Sequence, residues 1–148
     1  MIAGRGRSVA TLAPPYEHAE QVAVVRWFRD YACRRWPWLR LPADPTTGEE
    51  RPAIYAVPNG GFRGKRTAAA MVAEGASAGV PDLHIPALRL RIEMKRRKGG
   101  ATSAAQDAWI AHLRACGDRV EVCPGATEAI AVILQAAEAE ARRRKEQP

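Results

Sequence analysis

From Leu88 to Lys95 apolar and charged residues take strict turns, Leu-Arg-Leu-Arg-Ile-Glu-Met-Lys. In an extended chain successive side chains point to opposite faces, so Leu88, Leu90, Ile92 and Met94 share one face and Arg89, Arg91, Glu93 and Lys95 the other. A helix would scatter both sets around its circumference. The pattern predicts a strand over residues 88–96, its apolar face packed on helices and its polar face turned to solvent or a cleft.

Asp82 to Ile85 predicts the preceding strand, joined through Pro86-Ala87. A two-residue turn sets Asp82 opposite Arg91, and a four-residue loop sets it opposite Glu93. Either even length keeps Asp82 on the face of Glu93 and Lys95. The remaining elements follow from periodicity and breakers. A helix is expected over 16–35, with Val24, Val25, Phe28 and Tyr31 at helical spacing, ended by Trp36-Pro37-Trp38. Residues 42–52 read as a loop, 53–57 as a short strand and 67–74 as a helix. A helix over 104–115, a strand over 119–123 and an alanine-rich helix over 126–144 complete the chain. The order is α-β-α-β-β-α-β-α, an α/β domain with helices on a mixed sheet. One domain is expected over residues 16–135, preceded by a loose arm over 1–15 and followed by a basic helix end and tail over 136–148.

Opposed or diagonal residues on paired strands lie roughly 5–8 Å apart. Two carboxylates at that distance suit a shared divalent cation, with the lysine beside them. This is a geometry for phosphodiester hydrolysis: hard oxygen ligands hold Mg2+, and a nearby lysine orients water or balances developing charge. A Glu-x-Lys pair alone equally describes a salt-bridged, solvent-facing strand. Gly79-Val80-Pro81-Asp82 at the right distance upstream shifts that balance.

Val80-Pro81-Asp82, then ten intervening residues, then Glu93-Met94-Lys95 resembles the PD-(D/E)xK nuclease motif. The wider pattern is similar to one branch of it, the VRR-NUC domain family, especially its small stand-alone phage and bacterial members. The resemblance runs from Glu17 to about Glu128. It includes Glu17 to Gln21, the turn Pro58-Asn59-Gly60-Gly61, Ala78 to Asp82, Ile92 to Lys95, Gln106 with Trp109 and Leu113, and Arg119 to Cys123. It implies the restriction-endonuclease-like core. Asp82 and Glu93 would be metal-binding acids, Lys95 the catalytic lysine, and the Met94 carbonyl a further ligand. A helical carboxylate is also implied, for which Glu17 and Glu20 both qualify; Glu17 is favoured because it stands four residues before Gln21. Gln106 matches a glutamine at the active-site edge, although Ser103 to Gln106 also spells a helix-capping box, and the two roles can coexist. The implied activity is cleavage of DNA, with Mg2+ as cofactor and Mn2+ as a substitute. The likeness of small members to Holliday-junction resolvases implies a homodimer cutting branched DNA, since two symmetric strands need two active sites. The alternatives are a sequence-specific restriction-type nuclease and a non-catalytic DNA-binding protein on the same fold. The short chain lacks a recognition module for the first, and the intact acids and lysine argue against the second.

The net charge of +7 suits a polyanionic partner. Arg142, Arg143, Arg144 and Lys145 against Glu146 supply less than half of it, so the body is basic too. Arg63, Lys65 and Arg66 read as a phosphate-contacting segment, and Arg96, Arg97 and Lys98 extend the catalytic strand toward the same backbone. His84 is expected to be a neutral, partly buried histidine, and the four tryptophans core or interface residues rather than base-stacking platforms. Cys33, Cys116 and Cys123 have no disulfide or zinc spacing, and Cys116 and Cys123 read as small core side chains. No apolar run approaches the ~20 residues of a membrane span, and the N-terminus lacks a secretory pattern. The expected location is the cytoplasm of a bacterial or phage-infected cell.

Overall fold

The computed structural model describes residues 17–58 and 65–147; at Lys65 and Arg66 it describes the backbone only. The arm over 1–15, Asn59 to Gly61, Arg63 and the side chains of Lys65 and Arg66 therefore lie outside the described residues.

Helix α1 (Glu17–Trp27) continues through a π-helical turn (Phe28–Ala32) into α2 (Cys33–Arg35). Its buried residues Glu20, Val24, Phe28 and Ala32 recur every four positions, not on the Val24, Val25, Phe28, Tyr31 stripe expected. Val25 is only half-buried and Tyr31 is 48% exposed. A four-residue spacing gains about 40° on the 3.6-residue period at each step. The looser i→i+5 winding of the π turn keeps that row on the core. Pro37–Leu39 forms a 3-10 turn, and the loop beyond is tied back by Leu41 N–H to Arg51 O (2.8 Å) and Ala53 N–H to Leu39 O (2.8 Å). That second bond diverts Ala53, so the expected strand shrinks to β1 (Tyr55–Ala56).

Helix α3 (Lys65–Ala73) precedes β2 (Leu83–Ile85), β3 (Leu90–Lys95), α4 (Ala104–Ala115), β4 (Arg119–Pro124) and α5 (Ala126–Glu146). The sheet order is β1-β2-β3-β4, antiparallel up to β3 and parallel between β3 and β4. Pro86–Leu88 is a 3-10 turn, and Arg89 closes it in the left-handed region at φ 47°. Ile85 pairs with Leu90 and Leu83 with Ile92, which is the four-residue alternative. Leu88 thus belongs to the turn, and the strand starts two residues later than expected.

Two helical layers cover the sheet. On one face Val24 of α1, Phe28 of the π turn and Ile133 of α5 meet Leu83 and Ile85 of β2 and Leu90, Ile92 and Met94 of the alternating stretch. On the other, Ile110 and Leu113 of α4 pack on Val120. The polar face of β3 is therefore not open to solvent at its C-terminal end: Glu93 is 2% and Lys95 8% exposed. Cys33 and Cys123 are buried, but Cys116 is exposed, because it falls at the C-cap of α4 where the chain leaves the core. Among the described residues no helix is long and apolar enough to cross a membrane.

Candidate active site

Extending the β2–β3 register by one pair sets Asp82 across from Glu93. Asp82 Oδ2 accepts the backbone N–H of Met94 at 2.8 Å, and its own carbonyl accepts Val57 N–H at 2.8 Å. The strand pair thus fixes this carboxylate on the face shared by Glu93 and Lys95.

Lys95 Nζ donates to Glu93 Oε1 at 2.8 Å and to Gln106 Oε1 at 3.1 Å. Gln106 Nε2 also donates to Glu93 Oε1. The same glutamine completes a capping box: its backbone N–H reaches Ser103 Oγ at 3.2 Å, and its Oε1 accepts Ser103 N–H at 2.9 Å. Gln106 thus both closes the capping box and reaches the Glu93–Lys95 pair. The start of α4 comes this close because Gly79 lies against it at φ +90°; a Cβ there would stand 2.5 Å from the Ala105 carbonyl carbon. Nothing but glycine fits, which gives the glycine of Gly79-Val80-Pro81-Asp82 a physical reason.

Two polar side chains, Lys95 and Gln106, therefore hold one oxygen of Glu93, while its other oxygen, Oε2, is buried with no hydrogen-bond partner. Burial above all pushes the Glu93 carboxyl upward; Lys95 opposes this, and Asp82 and Glu17 add to it. Asp82 is also raised, first by burial and further by Glu17, against the Met94 N–H and Lys95. Both acids are thus less comfortable ionised here than in water. An unsatisfied buried carboxylate oxygen beside a second raised carboxyl is a donor set that a cation would relieve, so the residues fit a hard divalent ion. Among the described residues no three His, Cys, Asp or Glu side chains converge as a ready ligand cluster.

The helical candidates separate. Glu17, half-buried in the first turn of α1, is the one whose charge bears on both Asp82 and Glu93. Glu20 is buried and otherwise engaged: Oε2 accepts Ala126 N–H at 2.6 Å at the start of α5, and Oε1 lies 2.6 Å from Arg97 Nε. It pins α1 to the positive end of α5. Arg97 is consequently a clamp on Glu20 rather than a free cation, unlike the expectation for it. Arg96 and Lys98 are exposed and form no ion pair with a described residue. Met94 shows its N–H to Asp82 while its side chain is buried in the core.

A second polar row crosses the same face two residues along. Tyr55 pairs with His84, and His84 with Arg91. Tyr55 Oη and His84 Nδ1 are 2.7 Å apart, and Arg91 Nε donates to Asp118 at 2.7 Å. Burial first, then Arg91, holds the His84 imidazole below its usual range, so it is neutral at pH 7. Sequence reasoning missed Tyr55 and Asp118; carrying the alternation back from Asp82 across a third strand was the available signal for the tyrosine. Trp109 donates from Nε1 to Ser77 Oγ at 3.0 Å, and Trp36 is buried.

No family model matches the chain, and no curated protein matches it. A solved structure of a "VRR_NUC domain protein" matches with a TM-score of 0.61 at 26% identity, covering 85% of this chain and 91% of that one. The register, the clustered acids and lysine, and this match agree with the motif. In fold and in the motifs that carry the resemblance, the chain is similar to a VRR-NUC domain protein.

Proposed function

We propose that this protein is a Mg2+-dependent endonuclease that hydrolyses phosphodiester bonds in branched DNA, four-way junctions included, and works as a homodimer. The observation that carries the reading is the convergence of Asp82, Glu93, Lys95 and Gln106 around a buried carboxylate with one unpartnered oxygen.

Asp82 and Glu93 would hold the ion, with Glu17 and the Met94 carbonyl as supplementary donors and Glu20 kept to its structural role. When bound, Mg2+ polarises the phosphate and lowers the pKa of water at the site. The chain's own groups do the rest. Lys95, fixed between Glu93 and Gln106, presents an ammonium where negative charge develops on the phosphate. Gln106, immobilised by the cap of α4, holds that ammonium in line and offers an amide to orient water. Arg96 and Lys98, together with Arg63, Lys65 and Arg66, supply phosphate contacts that position the backbone without reading sequence. Mn2+ replaces Mg2+ because both take oxygen ligands.

Pure protein incubated with a labelled four-way junction, a flap and a plain duplex, with Mg2+ or chelator, tests this. Metal-dependent cutting near the branch is expected. Cutting of plain duplex at one fixed sequence favours a restriction-type enzyme, and no cutting of any substrate removes the enzyme reading.

A further inference from the structure

The catalytic face has two halves. Its β3–β4 side is roofed by α4 through Ile110, Leu113 and Val120. Its β1–β2 side carries Tyr55, which remains 51% exposed although it stands directly across from His84. Ile54, its neighbour, packs toward the main core, which confirms that Tyr55 points to the catalytic side. The row of Tyr55 and His84 is two residues from the row of Asp82 and Glu93, roughly 7 Å away along the strands.

An exposed aromatic ring is usually mobile. This one is held at two points: its hydroxyl lies 2.7 Å from His84 Nδ1, and the two rings meet edge-on at 5.1 Å and 82°. His84 is half-buried and so gives a fixed anchor. A tyrosine immobilised without being buried has already lost its rotamer freedom, and a ligand that lies on it meets little further ordering cost.

We infer that Tyr55, positioned by His84, is the platform on which the unpaired nucleotide next to the scissile phosphate stacks, and that it makes the enzyme prefer branched DNA over duplex. The inference rests on the nuclease reading above and adds a source of selectivity to it. A base at a branch point, unpaired in a flap or opened where the pairs flanking a four-way junction fray, leaves its stack at little cost and can lie on an aromatic ring. A base inside a duplex must first be unstacked and unpaired, which offsets the gain. The phosphate contacts do not distinguish the two substrates, because both carry the same backbone.

The test uses the full chain with Ca2+ in place of Mg2+, so that binding is read without cutting. The probes are a flap carrying 2-aminopurine as the unpaired nucleotide at the branch, and a matched plain duplex. Stacking on Tyr55 quenches the probe. Wild type and Tyr55→Phe are expected to quench it, and Tyr55→Ala is not. The flap-to-duplex affinity ratio should fall roughly ten-fold in Tyr55→Ala. Tyr31→Ala, which removes a comparably exposed ring from the π turn of α1, should keep the wild-type ratio. The inference is overturned by a wild type that does not quench the flap probe, by a Tyr55→Ala protein with wild-type quenching and ratio, or by an equal loss in Tyr31→Ala. A parallel Mg2+ assay separates the two levels. Wild type that cuts the flap while Tyr55→Ala keeps its selectivity sinks the platform alone; wild type that cuts nothing sinks the nuclease reading and the platform with it.

Discussion

Glu93 and Asp82 carry their charge against their surroundings. Burial lifts both carboxyls, and Glu17 adds to each. A group whose pKa is raised on folding stabilises the fold below its unfolded pKa and loses that contribution as pH rises through the folded value. These two acids therefore weaken the metal-free protein from mildly acidic pH upward. Asp82→Asn, whose amide oxygen still accepts Met94 N–H, is expected to raise the melting temperature in chelator at pH 8 while abolishing cleavage. A melting curve that shifts down instead contradicts the electrostatic account. At this scale the shared face of Asp82, Glu93 and Lys95 was legible in the sequence, because parity in a strand is decided by counting. It preferred Glu17 over Glu20 only through the resemblance, since the two stand about 60° apart around one helix and what α5 brings to Glu20 is invisible in the sequence. It also could not see that Arg97 is tied to Glu20, since the pairing joins residues far apart in the chain.

Among the elements, α4 has two tasks that share one residue. The bond between Ser103 Oγ and Gln106 N–H caps the helix, and the Gln106 side chain both closes the box and reaches the Glu93–Lys95 pair. Ser103→Ala should cost about 1 kcal/mol of stability, read by urea unfolding. It should also slow single-turnover cleavage, because Gln106 loses a constraint; unchanged cleavage would mean that the cap and the site are uncoupled. Gly79→Ala is expected to be harsher, about 1–3 kcal/mol by overpacking against Ala105, with the added strain of φ +90°. The limits of α4 were readable because Ser103 and Gly117 mark both ends chemically. Those of β1 were not, since the backbone bond from Ala53 to Leu39 overrides the β propensity of its residues. The turn between β2 and β3 left two solutions until Arg89 adopted the left-handed conformation that closes the longer one.

For the whole molecule, the site stands where three layers meet: the start of α1, the paired acids of the sheet and the capped start of α4. Cation binding should hold these layers together. Mg2+ is expected to raise the melting temperature at pH 8 and to do so less at pH 5, where protonation of the raised carboxyls competes with the ion. An equal shift at both pH values contradicts the assignment of Asp82 and Glu93 as its ligands. A homodimer in light scattering, with paired nicks placed symmetrically across a junction, is the corresponding expectation for assembly.

The most direct measurement is the single-turnover cleavage rate of a four-way junction by wild type and by Lys95→Ala, each titrated with Mg2+. Wild type should cut only with the ion, and the variant should bind the junction nearly as tightly yet cut on the order of 100- to 1,000-fold more slowly at every concentration. A variant that cuts at the wild-type rate, or a wild type equally active in chelator, would contradict the account.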